Sequence, residues 1–327
     1  MALSLCCSAK SFAVLILLSA IPIAYVIHSE TSARATHVFA YHSGGWLREC
    51  AKWDILNRRF LVSFFEGGLG VVPVQEHPSE DVQQEIPVVG GAGLGRNSSL
   101  GLAVDRPRNR VVVAVADVVG NKYSAVAAYD LTTWDRLFLT QLSGPDEKAC
   151  ADDVAIDLHG NSYITDTKGN KIWKVGPNGE LLYSIKSPLF APKEWYLNIV
   201  GLNGIVYHPN GYLLVIHTIT GKLFKIELMN EGNNHEVKAV KLVEGSLRFG
   251  DGLELLSPTR LVVAGNPSRL VESLDDFESG KVVGKFGGVT HRLVTAATVK
   301  DGKVYLNHLF GLGYPKRKHV LVEADFS

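Results

Sequence analysis

Residues 152–167 read DDVAIDLHGNSYITDT. Two carboxylates open a short apolar run, a His159-Gly160-Asn161 turn follows, and a second apolar run ends at Asp166-Thr167. Two apolar runs joined by a turn of Asx, Gly or Pro are the mark of an antiparallel hairpin. The pattern recurs as ECAKWDILNRRFLVSF from Glu49, LGLAVDRPRNRVVVAVAD from Leu100, NGIVYHPNGYLLVIHT from Asn203, DGLELLSPTRLVVAG from Asp251 and TAATVKDGKVYLNHL from Thr295. Successive starts lie 51, 52, 51, 48 and 44 residues apart, a period that marks a repeat architecture.

A third apolar segment follows in most units, at Ala125–Leu131, Lys171–Val175, Lys222–Leu228, Arg269–Ser273 and His319–Ala324. A fourth follows in the first five, from Ile86, Leu137, Leu181, Val237 and Lys281. The sixth unit ends at Ser327 without one, while THVFAYH (36–42) has no unit of its own. Joining that N-terminal strand to the last unit closes a ring and removes exposed sheet edges. The expectation is an all-β, six-bladed β-propeller over 36–327, with four antiparallel strands per blade. A β-sandwich of tandem hairpins is the competing architecture; no window of about 12 residues has a convincing helical period.

The composition agrees with a folded chain: 327 residues, 46% hydrophobic and 20% charged. Lys+Arg and Asp+Glu are both 33, so no overall field attracts nucleic acid or an anionic membrane. Residues 1–35 read as a signal peptide or signal anchor. The apolar run 12–27 follows Lys10, contains Pro22, and is shorter than the roughly 20 residues of a spanning helix. Ala33-Arg34-Ala35 offers a cleavage site. The propeller is then expected in the secretory pathway, outside the cell or in the lumen of the endoplasmic reticulum or vacuole, touching a membrane only through an uncleaved leader. Asn97-Ser98-Ser99 is a glycosylation sequon or a chance tripeptide. Cys50 and Cys150 could pair in such a compartment, but blades one and three are not neighbours, so buried free thiols are expected.

One register position opens the innermost strand of every blade: Glu49, Leu100, Asp152, Asn203, Asp251 and Thr295. In a propeller this end faces the mouth of the central channel. Four of the six carry oxygen donors of the Glu, Asp or Asn type, and three carboxylates converging there would repel one another unless a cation sat between them. A donor set without Cys or His suits Ca²⁺, or else Mg²⁺, and disfavours zinc. Acidic residues that merely cap loops are the alternative. The second strands bring Glu66, Asp166, His217, Asn266 and His308 to the same rim, and the two histidines are the only candidate histidine bases, although a solvated loop role is the commoner one. Trp53, Trp134 and Trp173 are expected to pack between blades, and Lys316-Arg317-Lys318 to form a solvated turn.

Glu49-x-x-x-Trp53-Asp54, Asp153-Val154-Ala155-Ile156-Asp157, Asn203-Gly204-Ile205 and Asp251-Gly252-Leu253, in this order and spacing, resemble the gluconolactonase, senescence-marker-protein and luciferin-regenerating-enzyme propellers, including plant proteins described as calcium-dependent phosphotriesterase-like or NHL-repeat-like. The resemblance runs over residues 36–327. It implies a divalent ion, usually Ca²⁺, bound by Glu49, Asn203 and Asp251, and a hydrolase of lactones or related esters. Asp251, or a water on the cation, would supply the attack or the base. The family's Asn-Asp pair in blade three is Asp152-Asp153 here, which adds a charge, favours tighter cation binding and reduces Lewis acidity. A non-catalytic propeller with structural Ca²⁺, binding a partner or metabolite, is the second reading. A strictosidine-synthase-like condensing enzyme is the third; its last-blade Glu is Thr295 here.

Overall fold

Six antiparallel sheets follow one another along the chain, each starting within a residue or two of a predicted blade start. The computed structural model describes residues 22, 24–30, 36–74, 82–95, 97–228 and 235–326. Blade one consists of Arg48–Asp54, Arg59–Phe64, Gly68–Pro73 and Ile86–Gly90. Blade two consists of Ser98–Asp105, Arg110–Ala116, Ser124–Asp130 and Arg136–Gln141, and blade three of Ala151–Ile156, Ser162–Asp166, Lys171–Val175 and Leu181–Lys186. Blade four uses Leu202–His208, Tyr212–His217, Lys222–Glu227 and Val237–Ala239. Blade five uses Gly250–Ser257, Arg260–Gly265, Ser268–Glu272 and Ser279–Phe286. The first-named, innermost strands touch in cyclic order, blade six closing back onto blade one.

Each junction between blades holds its own apolar cluster. Arg110–Ala116 is buried at every residue, so it reads as a continuous Val/Ala run rather than an alternation. Trp173 is buried between blades two and three, Trp53 between six and one, and Trp134 flanks the cluster between one and two. The tryptophans are therefore inter-blade packing, as expected. At about 1.5–3 kcal/mol for each fully buried large side chain, these junctions are the main source of cohesion in the ring.

Blade six joins the two ends of the propeller. Val294–Lys300, Lys303–His308 and Arg317–Ala324 are completed by Val38–Ser43, antiparallel in register from Val38↔Val322 to Ser43↔Arg317. Gln83–Gln84, from the long link inside blade one, adds a short parallel strand on the outside. A buried clamp locks this seam. Arg48 opens blade one and donates to Glu85 at 2.6 and 3.0 Å, to Glu66 at 2.9 Å and to the hydroxyl of Ser43. Ser43 Oγ donates to Glu85 Oε1 at 2.8 Å, and the guanidinium lies 4.0 Å from the Phe64 ring centre. Burying Arg48 is tolerable because its charge is paired and its donors are used.

Three sequence readings need correction. Val237–Val243 is not one strand: it breaks at Val240, and Lys241–Glu244 crosses over to pair parallel with Ser279–Phe286 of blade five. The third strand of blade one is the glycine-rich Gly68–Pro73, which the sequence reading left unassigned. Arg317 and Lys318 begin a strand rather than a turn, with Arg317 stacked 4.1 Å from the Trp46 ring centre. The leader lies mostly outside the described residues. Residues 24–30 are helical, and no described helix is long and apolar enough to cross a membrane.

Candidate functional site

All six innermost strands carry the same irregularity at the same place. Arg48↔Phe64 is followed by Ala51↔Val62, Ala151↔Asp166 by Val154↔Ile164, Leu202↔His217 by Ile205↔Val215, and Gly250↔Gly265 by Leu253↔Val263. Ser99/Leu102 and Val294/Ala296 repeat it in blades two and six. Each inner strand gains one residue on its partner, a β-bulge, and the bulge includes the register position predicted to face the mouth. A bulge breaks the strict alternation of side chains and re-aims them. The residue after the register position then packs against the next blade. A Cβ on Gly204 would stand 2.2 Å from Asp251 O, and one on Gly252 2.8 Å from Thr295 O. Only glycine fits these two close approaches. In blade three the equivalent residue is Asp153. Its carboxylate turns toward blade four and accepts from Val154 N at 2.9 Å and Ile205 N at 3.2 Å.

The predicted acidic residues act on one another across the ring. Glu49 of blade one feels Asp152 and Asp251, from blades three and five, which it can meet only across the channel. Its carboxyl is pushed well above the usual range, first by burial and then by Asp152, Asp251 and Asp153; Lys52 opposes this. Asp152 is likewise pushed up by burial, Asp251 and Asp153. Asp251 rises to about 7 through burial and Asp153, against a hydrogen bond from the Asn203 amide. Asp153 rises to about 6, mainly through burial, with Lys52 opposing. Glu49, Asp152 and Asp251 are half-buried and retain some contact with solvent. Glu49 Oε2 is buried without a hydrogen-bond partner among the described residues. Leu100 and Thr295 complete the ring without charge. Thr295 Oγ1 donates to Glu49 O, and Asn307 Nδ2 donates to Glu49 O at 2.9 Å and Arg48 O at 2.7 Å. Blade six thus holds the backbone of Glu49 in place.

Deeper in the channel, Lys52 bonds Glu254 of blade five at 2.6 Å and Ala297 O of blade six at 3.0 Å. Burial disfavours this ammonium, but the carboxylates of Glu254 and Asp153 outweigh it and hold the lysine charged. On the far side of the pair a pocket of about 250 Å³ opens, lined by Arg106, Tyr207 and Thr298 among others. Lys52, Glu254, Asp153 and Asn307 were missed in the sequence reading. The only available signal was a second acid beside Asp152.

The rim residues are mostly structural. Asp166 is fully buried and caps its loop, accepting from the amides of Cys150, Lys168 and Gly169. Glu66 pairs with Arg48, and Asn266 Oδ1 accepts from Val294 N. His217 and His308 are not solvated loop residues: both are buried. Burial lowers His217 to about 4, so it stays neutral. Cys50 and Cys150 are free and buried, and burial raises both thiols, Cys150 to about 12. Asn97 is part-buried with its amide donating to Leu94 O at 2.8 Å, and Ser98 and Ser99 are buried in blade two.

In donor type and charge the mouth fits a hard cation: several carboxylates, one amide oxygen and a buried oxygen without a partner. Among the described residues, no set of three or more His, Cys, Asp or Glu side chains closes into metal-binding geometry by itself. The fit is therefore one of chemistry and charge.

No protein-family model matches the chain, and no curated protein matches it. Solved structures do. A luciferin-regenerating enzyme aligns over 89% of this chain and 96% of its own, at 12% identity and TM-score 0.57. A glucose dehydrogenase aligns over 89% and 99%, at 13% identity and TM-score 0.56. A catalytically inactive virginiamycin B lyase from Staphylococcus aureus with quinupristin aligns over 85% and 82%, at 10% identity and TM-score 0.54. At such identities the likeness shows the fold. The chain is a six-bladed β-propeller.

Proposed function

We propose that this protein is a divalent-cation-dependent hydrolase of lactones or related esters. The convergence of Glu49, Asp152 and Asp251 with Asn203 at one end of the channel carries the reading. These residues would hold Ca²⁺, or Mg²⁺, which when bound would polarise the carbonyl oxygen of a small substrate. Beside a cation Asp251 is ionised at neutral pH, and it accepts the proton of the water that adds to the acyl carbon. The acyl C–O bond breaks, Asp251 returns the proton to the leaving oxygen, and a lactone leaves as its hydroxy acid, an ester as an acid and an alcohol. Thr295 and Asn307 keep Glu49 in place during the reaction. The luciferin-regenerating enzyme among the structural neighbours and the blade signatures support an enzyme, and so does the concentration of raised carboxyls in one cleft. Turnover of lactones and aryl esters, with and without chelator, tests the proposal: activity that survives chelation, or is absent with Ca²⁺ bound, rejects it.

The burial of His217 and His308 and the extra charge of Asp152 favour a second reading. In it the cation is structural, and the rim binds a metabolite or partner without chemistry. Chelation would then lower the melting temperature with no activity to lose. We propose, from the leader, that either protein enters the secretory pathway. Finding the full-length chain in the cytosol, with the leader intact and Asn97 bare, would overturn that placement.

A further inference from the structure

Two residues before each mouth position, the chain enters the innermost strand. In blades five and six this residue is Phe249 and Leu293, both in the left-handed region, at φ 60° and 53°. Bulky side chains seldom adopt that backbone, and it persists only where the surroundings enforce it. Phe277 is also left-handed, but it is fully buried and its packing accounts for it. Phe249 and Leu293 have no such account, because they are 60% and 41% exposed. Each precedes a mouth residue, Asp251 or Thr295, and their two inner strands touch.

Backbone bonds hold both residues in place at the strand entrance. Phe249 N donates to Thr218 O at 2.7 Å, and Leu309 N donates to Leu293 O at 2.8 Å. The arc continues into blade one. Phe310 N donates to Arg292 O at 3.1 Å, Phe310 bridges Leu47, and Gly311 N donates to Trp46 O at 2.9 Å. Phe310 and Trp46 are 38% and 53% exposed. Four exposed apolar side chains therefore span blades five, six and one. This is the sector whose ends carry Asp251 and Glu49.

We infer that Phe249, Leu293, Phe310 and Trp46 form an apolar lip, and that the ligand of this mouth is a lactone or ester with a hydrocarbon or aryl body rather than a polyhydroxylated one. The inference rests on the proposed function for the oxygen-bearing head, which must lie toward the carboxylates. The lip supplies the other half of an amphipathic fit. A sugar lactone would place hydroxyls against Phe249, Leu293 and Phe310, which offer them no hydrogen bond, a mismatch that costs affinity; only Trp46, its ring stacked on Arg317, has a donor in the lip.

The test is binding of γ-decalactone against glucono-δ-lactone, by calorimetry in saturating Ca²⁺, to wild type, Phe249→Gly and Leu293→Gly. Glycine suits left-handed backbone, so both variants should melt no lower than wild type and still take up Ca²⁺. The expected result is binding of decalactone in preference to gluconolactone, weakened about tenfold by each variant, since an apolar side chain of this size is worth about one such factor. Leu158→Ser, on a turn at the other end of its blade, should leave binding unchanged. Decalactone binding that is absent from wild type, equalled by gluconolactone, or untouched in both glycine variants would overturn the lip. Turnover judges the other proposal separately: decalactone that binds through the lip but is never hydrolysed leaves the lip standing and rejects the hydrolase.

Discussion

Replacing Asp251 with Asn should move stability and cation binding in opposite directions. The Asp251 carboxyl has its pKa raised from 3.8 to about 7 in the folded protein, by burial and then by Asp153. The folded state therefore binds a proton that the unfolded state has already released between about pH 4 and pH 7. The associated stability is fully present below the lower value and is lost as pH rises through the upper one. Each step of one in pKa is worth about 1.4 kcal/mol, so the ceiling is about 4 kcal/mol. The neighbouring carboxyls share the proton, and the channel admits some solvent, which brings the expectation down to about 2 kcal/mol. In chelator, urea unfolding should find Asp251→Asn more stable than wild type by roughly that amount at pH 8, and equal to it at pH 4. With Ca²⁺ at about a hundred times its dissociation constant, wild type should gain about 2.7 kcal/mol and the variant far less. If the variant tracks wild type across this pH range in chelator, or takes up Ca²⁺ equally well, Asp251 does not belong to the charged mouth.

Glu85→Gln leaves Arg48 buried beside a neutral partner. It should cost about 3–5 kcal/mol, a fall in melting temperature of roughly 6–20 °C by scanning calorimetry; a loss under about 1 kcal/mol would show that Glu66 alone suffices. Cys50 and Cys150 should resist a thiol reagent in the native protein and react fully in urea, because burial keeps them as thiols. Thr295→Val removes one hold on the Glu49 carbonyl and should weaken Ca²⁺ binding severalfold with little change in melting temperature. Equal affinity in calorimetry would remove Thr295 from the site.

The ring and its closure were readable because turn chemistry recurs at nearly constant spacing and a surplus strand at one end matches a missing strand at the other. Gly68–Pro73 escaped because its glycines carry no apolar period. The break at Val240 escaped because which sheet an edge strand joins is decided by tertiary pairing, not by its own residues. Glu49, Asp152, Asn203 and Asp251 were found by counting in register. Asp153 was not, because strict alternation sends it to the opposite face from Asp152, and only the bulge lets adjacent residues serve one mouth. The histidines were misplaced for a related reason: the end of a second strand is still inside the blade, and both are buried there.

The seam between Val38–Ser43 and Arg317–Ala324 also sets a timetable. The fourth strand of blade six, Val38–Ser43, is made before the rest of the propeller and its antiparallel partner last, about 280 residues later. At about 5–20 residues per second, the edge of that strand that pairs with Arg317–Ala324 waits roughly 15–60 s uncommitted, while its other edge can meet Gln83–Gln84 much sooner. Blades two to five have all their own strands within one stretch of chain and are free to form in turn as they are made. Blade six is different: no nascent chain short of its last residues contains a closed ring, and until then a loose edge strand is open to any passing chain. The order of the strands therefore leaves this edge as the one part of the ring that cannot be paired until synthesis is nearly complete.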